Sequence, residues 1–444
     1  MHKYSLLLAS LVLSPLTTLA QENEAPTIAS YSTESYRFTL DDCLKYAFGN
    51  SYERQNLKLS EQSAAEMVTQ AKNNRNPNVN LSAGESAQHV GSSSKVNVSG
   101  NVGINGGITL YQGGSITNNI KLSQQQEEEA KLRTQKYDNS LSIEILSSYL
   151  SVLRNEETLK YKTSIVSTSK EQADMGKKKY DVGTMLESDY LILEAQYAAN
   201  QTDTLDAYIS RSTNLLSLKK LLSMAPEANL ELVAPDTSTI DALALLPSQE
   251  ECVSKALQTM PELKLSKSAI EITETQTAIT KGSRRPTISA SAGIGTSHRD
   301  FDDMGQQLGD NFSQQVGVSL SMPIYDRGQT KSKLEQNRIA KQQAEIDYAQ
   351  TELNIRQTVI QQYQNVKLAY ERYKMTKLRC NAYGEVFKVY NAKFNVGMVV
   401  ITDMLQRQDN YINAINEYVQ AKYAFILNRK ILDIYTGENI SMGN

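Results

Sequence analysis

Two periodicities divide this chain. From Val96 to Leu110 the even positions carry Val96, Val98, Val102, Ile104, Ile108 and Leu110, while the odd ones are Asn97, Ser99, Asn101, Gly103, Asn105, Gly107 and Thr109. Such alternation gives a β-strand one apolar and one polar face. The pattern returns at Phe312–Ile324, with Val316, Val318, Leu320, Met322 and Ile324 on one side and Ser313, Gln315, Gly317, Ser319 and Ser321 on the other. A weaker partner precedes each: Val79, Leu81 and Ala83 in one case, Ile288, Ala290, Ala292 and Ile294 in the other. The pattern predicts strands at about 78–88, 95–111, 287–297 and 312–324, paired as two hairpins. A soluble sheet with one solvated face carries the same alternation, so period alone leaves the environment open.

The remainder reads as helix. The stretches 78–225 and 324–444 contain no proline after Pro77 and Pro323, so nothing in them breaks a long helix. Helices of equal length are expected at 115–181 and 329–395, each about 100 Å long at 1.5 Å per residue. Shorter helices flank them at about 40–75 and 187–223, then 249–284 and 401–437. Thr39–Asp42 and Ser248–Glu251 read as capping boxes that start the first of each pair. Leu141, Ile145, Tyr149 and Val152 form one apolar line, with Leu146, Leu150 and Leu153 beside it. A helix with a double seam touches neighbours on two sides, as in a ring of helices.

These elements are two copies of one unit. Tyr111-Gln112-Gly113-Gly114 recurs as Tyr325-Asp326-Arg327-Gly328, Tyr149 as Tyr363, Val182-Gly183 as Val396-Gly397 and Ser188-Asp189 as Thr402-Asp403, all at one offset. Cys43, Pro77 and Gly84 recur as Cys252, Pro286 and Gly293 at a slightly shorter one. The difference falls within Ser297–Asn311, where a surface loop absorbs it. The repeats span 39–223 and 248–438, joined by 224–247 and followed by a tail, 439–444. Helix, hairpin, long helix, glycine turn and returning helix put both hairpins at one end and both glycine turns at the other. Four strands cannot close a membrane barrel, whose smallest forms have about eight. Three copies would supply twelve.

Residues 1–20 read as a secretory signal: Lys3, an apolar run around Leu6–Leu13, then Thr18-Leu19-Ala20. No later segment has the run of some 18 apolar residues that a membrane-spanning helix needs. The formal charge of −3 is spread without a basic tract, which argues against nucleic acid. Cys43, Cys252 and Cys380 form neither a disulfide framework nor a metal cluster. His89 and His298 fall beside the hairpin loops without a nucleophile, and Asp302, Asp303 and Asp310 fit no calcium spacing. No cofactor, metal or enzymatic activity is expected.

The paired motifs Tyr180-Asp-Val-Gly-Thr-Met-Leu-Glu-Ser-Asp189 and Phe394-Asn-Val-Gly-Met-Val-Val-Ile-Thr-Asp403, each with a hairpin ahead, resemble the TolC family of outer-membrane efflux and secretion channels over about 39–438. The resemblance implies a mostly α chain with a membrane β-barrel part: a homotrimer with a twelve-strand outer-membrane barrel continued by a long periplasmic α-helical barrel. An equatorial belt would be built partly from 224–247 and from the tail after Asp433. It also implies a passive exit duct of a tripartite efflux or type I secretion system, set in outer-membrane lipid and opened by a periplasmic adaptor and an inner-membrane pump. Val182, Gly183 and Thr184, with Val396, Gly397 and Met398, would be the adaptor-contact tips. Asp403 and Asp189 would form the pore gate. Gln406 stands where some relatives carry a second acid, and Phe394 lacks the hydroxyl that can tether the closed state, so any hydroxyl tether must be rearranged. Two plainer roles remain open: a left-handed helix cap for each glycine and a favourable helix-dipole position for each acid. The alternative from another class is a soluble periplasmic coiled-coil scaffold without a barrel.

Overall fold

The computed structural model describes residues 35–89, 91, 96–234, 245–299 and 303–438. The secretory signal, the tail 439–444 and part of the inter-repeat segment lie outside these. Two helices dominate, α3 (Ser115–Asp181) and α8 (Gln329–Asn395), each of 67 residues. Gly114 and Gly328, both left-handed, start them, and Gly183 and Gly397 follow their ends.

Before α3 come β1 (Ser35–Phe38), α1 (Leu40–Asn50), α2 (Tyr52–Asn73), β2 (Asn78–His89) and β3 (Val96–Gln112). After it come α4 (Glu187–Leu221), β4 (Asn229–Leu232), α5 (Gln249–Thr259), α6 (Pro261–Gly282), β5 (Thr287–His298), α7 (Met304–Asp310) and β6 (Ser313–Ser321); α9 (Ile401–Thr436) follows α8. Three details differ from expectation. The first flanking helix of each repeat is broken by one extended residue, Ser51 (φ −63°, ψ 117°) and Met260 (φ −64°, ψ 125°). In one repeat the Ser51 hydroxyl accepts from the Arg54 amide and starts a new helix. In the other, Pro261 opens the second helix, where its missing N–H costs nothing. β6 stops at Ser321 because Pro323 cannot donate to a ladder. The segment where the offset changes, expected to be loop, holds α7. The Thr39–Asp42 capping box is complete. At the second copy Ser248 Oγ accepts from the Glu251 amide.

β2, β3, β5 and β6 form one antiparallel sheet in that order, so the two hairpins join through β3 and β5. The register aligns side chains by chemistry: Leu81, Ile104 and Ile294 share a row, and Asn80, Asn105 and Gly293 share one on the other face. One face is apolar throughout most of its height and the other is lined by Asn, Ser and Gly.

The helices make a wall one layer thick. Near the sheet its order is α2, α3, α6, α8; towards the glycine turns it is α4, α3, α9, α8. Halfway along, Leu141–Leu153 of α3 and Ile355–Tyr373 of α8 meet α1, α5, the parallel pair β1–β4 and the end of α9 in the main core. Cys43 and Cys252 are fully buried there, each in its own repeat, and burial pushes the Cys43 thiol up to about 12.

The wall is finished on its interior helices and raw at its edges. Apart from Tyr180 at the end of α3, the large exposed apolar side chains of the long and flanking helices sit on α2 (Tyr52, Leu59, Met67), α4 (among them Leu191, Leu205, Ile209, Leu216) and α8 (among them Ile339, Leu368, Met375, Leu378). These are the outermost helices. The outermost strands, β2 and β6, likewise expose Val79, Leu81, Val316, Val318 and Leu320.

Gly113 shows how tightly the repeats join beneath the sheet. A Cβ there would collide with the Gly282 carbonyl and lie 2.9 Å from Arg285 Cβ. Its counterpart Arg327 holds nearly the same φ, +55° against +59°, so crowding demands the glycine as much as backbone angle does. Gly113→Ala is expected to destabilise the protein by about 1–3 kcal/mol through overpacking. Arg327→Gly should shift stability by less than about 1 kcal/mol. Thermal melts of the two variants check the contrast.

Candidate functional site

The end of the wall farthest from the sheet carries both glycine turns. Each long helix closes in the same way. Gly183 (φ +72°) donates to the Tyr180 carbonyl at 2.8 Å, and Thr184 donates its amide to the Lys179 carbonyl at 2.8 Å. Gly397 (φ +75°) and Met398 repeat this with Phe394 and Lys393 at 3.0 and 2.9 Å. Nothing lies within 4 Å of a Cβ built on either glycine. Backbone angle alone therefore selects glycine at these turns, as at many helix ends. Val182, Leu186, Val396, Met398 and Val400 are exposed around the turns, with Met398 at 75 %. Apolar side chains gather here with no described residue covering them, the kind of patch that marks interaction sites.

The returning helices α4 and α9 begin at Leu186 and Val400 without side-chain caps. Asp189 and Asp403 stand in their first turns, where unsatisfied amides favour negative charge. Asp403 is exposed and Asp189 partly buried. Neither forms an ion pair with a described residue. The structure thus brings both turns to one end but does not join the two acids within a chain.

Several residues at this end escape a reading from pattern. Lys179 reaches from the first turn to the second, donating to the Asn395 carbonyl at 3.1 Å while its ammonium sits 5.5 Å from the Phe394 ring centre. A cation at the negative end of α8 is favourable. This contact links the two tips beside Phe394, which has no hydroxyl. Phe394 is buried with Leu193, Phe387, Ile401 and Met404 in a small tip core separate from the main one, and Tyr180 stacks on Tyr190 at 5.7 Å. Arg407, one turn beyond Asp403, lies 5.2 Å from the Tyr390 ring centre. Last-turn lysines are visible in the sequence; which carbonyl one of them reaches is not.

Further up, Gln172 of α3 donates to Asn391 of α8 at 2.8 Å, and on the α3–α9 seam Gln408 donates to Ser169 at 3.3 Å. Tyr161 donates to Asn416, and Lys422 pairs with Glu157 at 2.8 Å. No group of three or more His, Cys, Asp or Glu able to hold a metal occurs among the described residues. Nor is any helix among them long and apolar enough to cross a membrane.

The profile of the outer membrane efflux protein family matches residues 47–223 and 252–438, one stretch in each repeat. The chain is 20% identical to the outer membrane protein TolC of Vibrio cholerae over 366 residues, covering 82% of this chain and 83% of that protein. It is 22% identical to the alkaline protease secretion protein AprF of Pseudomonas aeruginosa over 308 residues, covering 69% of this chain and 63% of that one. Its fold superposes on the outer membrane protein VceC of Vibrio cholerae with a TM-score of 0.76 at 16% identity, over 90% of this chain and 97% of VceC. Two family-matched repeats, a sheet with one apolar face and helices about 100 Å long lead to one conclusion: the chain belongs to the outer membrane efflux protein family and is an outer-membrane channel that extends into the periplasm.

Proposed function

We propose that three copies of this chain close into a ring and act as the passive exit duct of a tripartite efflux or type I secretion system, docked at its glycine-turn tip by a periplasmic adaptor and opened by that adaptor with its inner-membrane pump. The observation that carries the reading is the pair of unlike raw edges. One edge of the wall is β2, α2 and α4; the other is β6 and α8. Unlike edges associate head to tail, and such contacts build rings when the rotation closes.

The edges also match in height. Measured from the turn end at about 1.5 Å per residue, Leu191, Leu205, Ile209 and Leu216 of α4 fall within about 3 Å of Val389, Leu378, Met375 and Leu368 of α8. Near the sheet, Met67, Leu59 and Tyr52 of α2 follow Ile339, Ile346 and Leu353 at a constant offset of about one turn. Apolar residues of one edge therefore stand at nearly the height of apolar residues of the other along most of the wall. Three chains bring the four-stranded sheet to twelve strands, enough to enclose a lumen lined by the Asn, Ser and Gly face.

In such a ring three copies of Asp403 approach one axis. Three carboxylates at a constriction favour cations over anions. Asp189, partly buried, would bridge to a neighbour. The exposed Val182, Gly183 and Thr184, with Val396, Gly397 and Met398, form the adaptor-contact tips. Cargo is small toxic compounds or secreted protein; the secretion role in the name of AprF supports the second and the family description the first.

The detergent-solubilised particle should have the mass of three chains after correction for bound detergent. Leu205→Cys with Leu378→Cys, in a Cys380→Ser background because Cys380 is only half-buried, should give covalent dimers and trimers on oxidation, helped by the burial of the native Cys43 and Cys252 thiols. A monomer, or cross-links confined within one chain, would refute the ring. Asp403→Asn should lower the cation-to-anion permeability ratio of reconstituted channels several-fold; an unchanged ratio removes the gate role. Gly397→Val places a β-branched residue at left-handed angles costing roughly 1–2 kcal/mol. It should abolish export while the trimer survives electrophoresis, whereas loss of the trimer would mark the turn as purely structural.

A further inference from the structure

On the apolar face of the sheet the cross-strand rows climb in order from the helices. Tyr111, Ile288 and Leu320 come first, then Ile108 with Ala290 and Val318, Gly106 with Val79, Ala292 and Val316, Ile104 with Leu81, Ile294 and, on the edge strand, the polar Gln314, and Val102 with Ala83 and Thr296. The next row is the first charged one, Glu85, Gly100 and His298. Gly100 carries no side chain on the central strand, and Glu85 and His298 meet over it, with Oε2 and Nε2 3.0 Å apart. A Cβ on Gly100 would strike both groups. From Tyr111 to Val102 the strand rises about 30 Å, or about 23 Å along a barrel axis tilted 40° to it. That height is close to the roughly 25 Å apolar band of outer-membrane barrels.

α7 begins where this band ends. Thr296 Oγ1 donates to the Leu308 carbonyl at 2.5 Å, Asn311 Nδ2 donates to the Ser297 carbonyl at 2.7 Å, and Gln307 accepts from the Arg299 amide at 2.9 Å. Thr296 and His298 project from the same face as Ile294, so the helix lies over the apolar side. Met304 and Leu308 turn towards the sheet and line a cleft with Ala83, Glu85, Val102 and His298. Gly305, Gln306 and Gly309 are exposed on the outer side. Above the Ile294 row, then, the face that meets lipid is covered by a short helix whose own outer surface is polar. Below it Val316, Val318 and Leu320 stay bare, at 85, 73 and 70% exposure. Phe312 is exposed near the outer border, and Tyr111 and Tyr325 near the inner one, as aromatic girdles require.

A polar surface turned outward has no solvation in hydrocarbon but is at home among headgroups. Resting on the outer-membrane reading, we infer that α7 is a bilayer stop: it lies in the headgroup layer of the outer leaflet and fixes how far the barrel sits in the membrane. Its partner is the lipid surface. The length difference between the repeats thereby acquires a role, since among the described residues only the second hairpin carries a helix.

The chain has no tryptophan, so one introduced indole, excited beyond the tyrosine band, reports its own depth. Gln306→Trp and Val318→Trp would be assembled into phospholipid vesicles brominated either near the headgroup or deep in the chains. Val318→Trp should be quenched by the deep bromines. Gln306→Trp should be quenched several-fold more by the shallow ones, and Gly305→Trp should show the same shallow depth. Water-like emission from Gln306→Trp and Gly305→Trp with no quenching, or deep quenching equal to that of Val318→Trp, overturns the stop. Absence of quenching at Val318→Trp would instead overturn the barrel on which the inference rests.

Discussion

The constraint on which this molecule depends is the unpaired sheet edge. β2 and β6 each present a row of backbone donors and acceptors without a strand beside them. In hydrocarbon each unsatisfied group costs several kcal/mol, and no water is present to offset it. An open four-stranded sheet such as this therefore cannot stand alone in a membrane. The same incompleteness runs down the helices, where α2, α4 and α8 keep apolar seams that their own chain leaves uncovered. Each level shares one deficit, and in the proposed ring a neighbouring copy would resolve all of them with a single rotation.

Much of the architecture is legible in the sequence because it is periodic and repeated. The two long helices occupy the stretches left by Pro77, Pro226 and Pro323, and constant spacing between copies of the Val-Gly turn leaves no room for loops. Strand alternation survives because the register aligns equal chemistry across three strands. What stays hidden depends on contacts far apart in sequence or on one backbone angle. The break at Ser51 changes no periodicity, and only its hydroxyl bond to the Arg54 amide marks it. Pro261 is a visible breaker, but the apolar periodicity on either side of it reads straight through. The Glu85–His298 pair joins residues on different hairpins across a glycine, and no local pattern encodes that. Lys179 is one of three consecutive lysines, and only the adjacency of the two turns singles it out.

The two copies have kept their frame and diverged in their contacts. Gly113 became, or remained, glycine where Arg285 and Gly282 press against it, while Arg327 occupies the open counterpart. Between α8 and α9 the packing is aromatic, with Phe387 against Tyr411 and Tyr373 against Tyr418 and Phe425. Between α3 and α9 it is polar, through Glu157, Tyr161 and Ser169. Aromatic packing fixes one geometry closely, whereas amide and hydroxyl partners can be exchanged at little net cost. Duplication supplied the wall, and later divergence differentiated its seams.

The equal length of α3 and α8 has a consequence for how such a chain can evolve. Removing one residue from either would turn everything beyond it by about 100° and lower its tip by about 1.5 Å, leaving the two turns out of level. A lone deletion is thus punished twice, in phase and in height. Losing a heptad from both helices at once would preserve both. The pair behaves as a ruler cut in two matching pieces, and its graduations are whole heptads: the distance the duct can bridge changes only in shared steps of about 10 Å.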